Sequence, residues 1–71
     1  MNIINPNKLH HSKWSAVAPT QKEKHFMVTQ LLRDDNDHVV DVILEAVLTH
    51  RELTLPWRAL KDDATWQTGW R

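Results

Sequence analysis

At 71 residues, with no cysteine and a single glycine, the chain excludes a second domain, a disulfide scaffold, a thiolate metal site and a glycine-rich phosphate cradle. Its formal charge is zero, but residues 1 to 33 carry five cations against Glu23 alone, a surplus of +4, which residues 34 to 71 balance with −4. Such a split either offers a basic face to a polyanion or lets the two halves neutralise each other within the fold.

Residues 1 to 12 are polar, with Pro6 and the His10-His11 pair, and show neither helical nor strand periodicity, so they read as a flexible arm before a single domain at 13 to 71. The start has neither a charged n-region nor an apolar h-region, and no apolar run reaches membrane-spanning length. With the lack of cysteine, this leads us to expect a cytoplasmic protein without a membrane partner.

Lys13 to Val17 alternates as a short strand, stopped by Pro19, and residues 18 to 24 form a polar connection. From His25 to Leu32 a second strand sets Phe26, Val28, Gln30 and Leu32 against His25, Met27, Thr29 and Leu31. Asp34-Asp35-Asn36-Asp37 supplies turn residues for a hairpin.

Val39 to Leu48 admits two readings. Asp41, Glu45 and Thr49 fall four apart, as on the wet face of a helix, whereas Val40, Val42, Leu44, Ala46 and Leu48 form an apolar face at period two. The β-branched residues decide for a strand, because branching at Cβ disfavours a helix and suits a pleated sheet. After a turn at Thr49-His50-Arg51, Leu53 and Leu55 mark another strand that Pro56 ends. Trp57 to Lys61 suits one helical turn, and Asp62 to Trp70 a short helical turn or wrap closed by Gly69. The expected fold is therefore mainly β: a small antiparallel meander that closes into an SH3-like barrel or lies open under a short C-terminal helical turn or flap.

Spaced along the chain are Asn5-Pro6-x-Lys8-Leu9, Ser12-Lys13-Trp14-Ser15-Ala16-Val17-x-Pro19, Glu23-Lys24-His25-Phe26, Glu45-Ala46-Val47-Leu48-Thr49-x-Arg51, Pro56-Trp57-Arg58-x-Leu60-Lys61 and Trp66-x-x-Gly69-Trp70. As a set these resemble the small tryptophan-rich bacterial protein family of unknown function. The resemblance spans nearly the whole chain; Ser15 stands where threonine is expected. It implies one compact domain and carries no activity.

Four tryptophans in so short a chain have two uses. They supply core area that few other large residues provide, or one or two stay exposed as stacking platforms or partner anchors. Trp66 and Trp70 would share a face if the tail were helical, and with Arg58 they are candidate partner contacts. Lys13-Trp14 and Lys22-x-Lys24-His25-Phe26 interleave cations with aromatics, as single-strand nucleic-acid binders do.

The five histidines match no zinc spacing, and no cofactor is expected. Asp34-x-Asn36-x-His38 with Glu45 imitates a calcium loop but puts Val39 where glycine is required. Nothing pairs a nucleophile with a base, so catalysis is not expected. Two functions remain: an interaction module for a protein partner, using an exposed aromatic and a sheet edge, or an RNA or single-stranded DNA binder using the basic N-terminal half.

Overall fold

A computed structural model describes residues 1–71. Five strands, β1 (Lys13–Thr20), β2 (Glu23–Arg33), β3 (Val39–Ala46), β4 (Glu52–Pro56) and β5 (Trp66–Thr68), form one antiparallel sheet in the order β4-β3-β2-β1-β5. Two 3-10 turns, Pro6–Lys8 and Trp57–Lys61, are the only helical segments. No helix is long and apolar enough to cross a membrane. The meander and the strand reading of Val39 to Ala46 are observed. β4 and β5 are not paired, so the sheet is open rather than closed into a barrel.

Trp14, Phe26 and Ala46 stand opposite one another across β1, β2 and β3, and Val28, Leu44 and Leu53 across β2, β3 and β4. This face is covered by Leu60 of the second 3-10 turn and by Leu9, which together with Val39, Val42 and Trp66 complete the buried core. Residues 1 to 12 are therefore docked rather than an arm. Asn2 donates from its backbone to the Lys61 carbonyl at 3.0 Å and from Nδ2 to the Leu60 and Trp66 carbonyls, each at 2.8 Å. Their polarity conceals this: Asn2 works as a hydrogen-bonding clasp, and Ile4 and Leu9 supply the apolar contact.

Two one-residue irregularities change the expected alternation. The β2–β3 register shifts between Val28 and Gln30, leaving Thr29 as an extra residue, so Leu31 rather than Gln30 returns to the core side. A second shift leaves Val40 unpaired, so Val39 is buried and Val40 exposed. β1 runs through Pro19, because its ladder with β2 is interrupted between Ser15 and Thr20 and no amide hydrogen is required there.

The expected polar connection 18 to 24 is a two-residue hairpin turn. Gln21 (φ 55°) and Lys22 (φ 62°) are both left-handed, with Thr20 paired to Glu23. Such turns favour Asn-Gly because non-glycine residues resist positive φ. Gln21→Asn with Lys22→Gly is expected to stabilise the domain by about 1 kcal/mol, read as a higher urea midpoint at unchanged slope.

The tail is not helical. Asp62 turns the chain by accepting from Thr65 and Trp66 backbone amides, and Trp66 to Thr68 then pair with Ala16 to Trp14 as an edge strand. Gly69, at φ 79°, turns the chain so that Trp70 crosses to the other face of the sheet, donating from Nε1 to the Phe26 carbonyl at 2.9 Å. Trp66 and Trp70 thus lie on opposite faces.

Candidate functional site

The four tryptophans divide by burial. Trp14 (2% exposed) and Trp66 (8%) are core, with Trp66 edge-on to Phe26 at 5.2 Å between ring centroids. Trp14, Phe26 and Trp66 therefore offer no ring face to a partner: the strand pairing turns all three toward the apolar layer, where their area is needed. Trp57 is half-buried, with the Arg58 guanidinium 5.6 Å and the Lys61 ammonium 4.9 Å from its ring. Trp70 is 41% exposed and carries the Lys13 ammonium 4.7 Å from its ring, with the His25 ring at 5.9 Å.

The remaining sequence candidates separate into two places. Lys22, Lys24 and His25 line an open groove of about 430 Å³ whose other wall is Val47 and Leu48. It lies at the end of the sheet where the β1–β2 and β3–β4 turns meet, and His25 joins it to Trp70 and Lys13. Arg58 lies at the opposite end, beside a cavity of about 310 Å³ lined also by Asp34, His38, Val39, Val40, Pro56 and Trp57. It is not part of the groove.

An ion pair between buried Glu23 and half-exposed Arg51 sets the shape of the groove. Glu23, 3% exposed at the start of β2, receives Arg51 Nε at 3.0 and 3.1 Å and the Thr49 hydroxyl. The Arg51 and Thr49 hydrogen bonds hold the Glu23 carboxyl below its ordinary range, outweighing the opposing effect of burial. The turn is closed further by backbone bonds from Val47 to the His25 carbonyl (2.9 Å) and from His50 to the Ala46 carbonyl (2.8 Å). Leu48, 67% exposed, is thus presented on a braced turn. Charge-assisted bonds of this kind fix orientation as well as proximity.

Sequence reasoning found the basic side of the groove and missed its apolar side. Leu48 fits the period-two face of β3, so it reads as core; the strand ends at Ala46, and the next two residues enter the turn. The ion pair left no local signal, since Glu23 and Arg51 are 28 positions apart.

The His25 Nε2 lies 2.9 Å from the Arg71 carbonyl, and Ser15, fully buried, donates to the Gly69 carbonyl at 2.7 Å and accepts from the Arg71 amide. These contacts hold residues 69 to 71 across β1 and β2, which places the Trp70 ring beside the groove. Together Lys13, Lys22, Lys24, His25 and Trp70 form a basic, aromatic strip bordered by two exposed aliphatic side chains. Such a strip can bind.

No curated protein and no solved structure matches the chain. A family model described as tryptophan-rich protein matches residues 12–71, taking in every strand, both hairpin tips of the groove and all four tryptophans. The chain belongs to the tryptophan-rich protein family DUF2389, a family of unknown function.

Proposed function

We propose that the protein is a small, non-catalytic cytosolic interaction module that docks an acidic segment of a partner protein, with apolar side chains, in the groove between its hairpin tips. The observation that carries this reading is Leu48, two-thirds exposed beside Val47 on a turn that Glu23 and Arg51 brace, opposite Lys22 and Lys24. A large aliphatic side chain held in water on a preorganised loop contributes nothing to folding and lowers the ordering cost of binding. The lysines supply complementarity to carboxylates, and Trp70 extends the contact area.

The single-strand reading keeps Lys13, Lys22, Lys24 and Trp70 but loses Trp14 and Phe26 as stacking platforms, since both are buried. The two readings part under mutation. The tagged full-length protein is cross-linked to its partners with and without nuclease, alongside Leu48→Asp and the pair Lys22→Glu with Lys24→Glu. For a protein partner, nuclease changes nothing and Leu48→Asp weakens capture by about 2 kcal/mol, roughly thirtyfold in affinity, with an unchanged melting midpoint. Capture that nuclease abolishes, and that depends on the lysines but not on Leu48, assigns the strip to nucleic acid instead.

A further inference from the structure

Arg58 lines the cavity of about 310 Å³ at the end of the sheet opposite the groove. Its guanidinium has no carboxylate: the ion pairs of the chain engage Arg33, Arg51 and the Met1 amino group, and neither Arg58 nor Lys61 takes part in one. Both cations are instead gathered on the Trp57 ring, 5.6 and 4.9 Å from its centroid. The acids that follow in the chain are used elsewhere. Asp62 accepts from the Ala64 amide and the Thr65 hydroxyl, and Asp63 pairs with the Met1 amino group. Asp34, the only carboxylate lining the cavity, is turned into its own hairpin, where Oδ1 accepts from the Asn36 and His38 amides at 2.9 Å each. Two like charges brought to one ring repel, and an anion between them would be held by both.

The rest of the cavity wall is apolar, made of Val39, Val40, Pro56 and the Trp57 ring. Val40 is 46% exposed because the register shift in β3 leaves it unpaired and turns it away from the core. Both sides of the cavity are fixed in place. Leu60 is fully buried beneath the Trp57–Lys61 turn, and Asn2 bonds the Leu60 and Lys61 carbonyls. Across the cavity, Arg33 donates to the Asp37 carbonyl at 2.9 Å and closes the β2–β3 hairpin. Small-molecule sites are concave, mostly apolar and preformed, with a few placed polar groups, and begin at about 300 Å³. We propose that this cavity binds a small organic oxyanion, a carboxylate or phosphate carried on an apolar body. The Arg58 guanidinium meets two of the charged oxygens with its fork of donors, Lys61 adds to the field, and the body lies against Val40, Pro56 and Trp57. The site lies apart from the groove and does not depend on the groove's partner.

Amide and indole shifts of the full-length protein, titrated with phenylacetate, phenyl phosphate, inorganic phosphate and benzyl alcohol, test the proposal. Phenylacetate or phenyl phosphate is expected to give saturable shifts at Val39, Val40, Arg58 and the Trp57 indole, and the tighter of the two identifies the oxyanion. Inorganic phosphate lacks the body and benzyl alcohol lacks the charge, so each is expected to bind about tenfold more weakly or worse. Arg58 is exposed, so Arg58→Ala is expected to keep the melting midpoint and weaken the aryl anion about tenfold. Val40→Asp, which puts a carboxylate on the apolar wall, is expected to do the same. The proposal is overturned if neither aryl anion gives saturable shifts, if Arg58→Ala binds as tightly as the parent, or if the shifts centre on Lys22 and Lys24.

Discussion

Trp66→Ala and Trp14→Ala are each expected to destabilise the domain by about 3–5 kcal/mol, the usual range for a buried tryptophan truncated to a methyl group. A chain of 71 residues holds roughly 4–11 kcal/mol in total at the usual stability per residue. Either substitution therefore removes a large share of the stability, and deletion of residues 66 to 71 is expected to unfold the protein, because it takes away the Trp66 ring, the β5 ladder and one of the three acceptors for Asn2 together. Trp14→Ala leaves the Ser12 hydroxyl without the indole donor at 2.9 Å as well as a cavity between β1 and the covering layer. Trp70→Ala is the contrast: 41% exposed and on the opposite face, it is expected to cost only about 1 kcal/mol. Urea denaturation of the three single variants checks the order, and a Trp70 variant as unstable as Trp66→Ala would contradict the division of the rings into core and surface.

Glu23→Ala is expected to lower the thermal midpoint markedly, although it removes a charged residue from near the surface end of a strand. The carboxylate is shielded from water and answered by the Arg51 guanidinium and the Thr49 hydroxyl, so its loss leaves both without their acceptor and frees the β3–β4 turn. The pair also makes the fold acid-sensitive. The Glu23 carboxyl titrates below its ordinary value of 4.5 in the folded chain, so its stabilisation is present above that value and is lost as pH falls through the lower, folded one. Asp34, whose carboxylate accepts from the His38 and Asn36 amides, is lowered in the same direction and adds to the same loss. Thermal melts across the acid range should therefore show a falling midpoint in the parent, and a smaller fall in Glu23→Gln. Glu23→Leu combined with Arg51→Met is expected to recover part of the stability lost in either single variant, because the guanidinium is no longer left without its carboxylate and only the Thr49 hydroxyl lacks its acceptor. If the two single effects simply add, the ion pair is not what holds the turn.

The local pattern of residues settled β2, β3 and β4 and the turns between them. Alternation with β-branched residues placed β2, β3 and β4, the Asp34 to Asp37 run placed a hairpin whose Asp34 side chain bonds the turn, and the Pro56 boundary fell where a missing amide is harmless. Each of these depends on interactions a few residues long, which a sequence displays directly. What the sequence could not display is set by contacts across the sheet. The extra residue at Thr29 changes which face Leu31 takes, because a single insertion reverses every later side chain. Asn2 and Leu9 become structural because residues 60 to 66 supply carbonyls and apolar area beside them. The tail is a strand rather than a helical turn because β1 offers an unpaired edge at Trp14 to Ala16, and pairing there buries Trp66 while leaving Trp70 on the other face. Leu48 reads as core by period and is exposed because β3 stops two residues before it, at a turn whose course is decided by Glu23, 25 positions earlier in the chain. Periodicity reports which residues can share a face; only the partners brought in from elsewhere in the chain decide whether that face is covered.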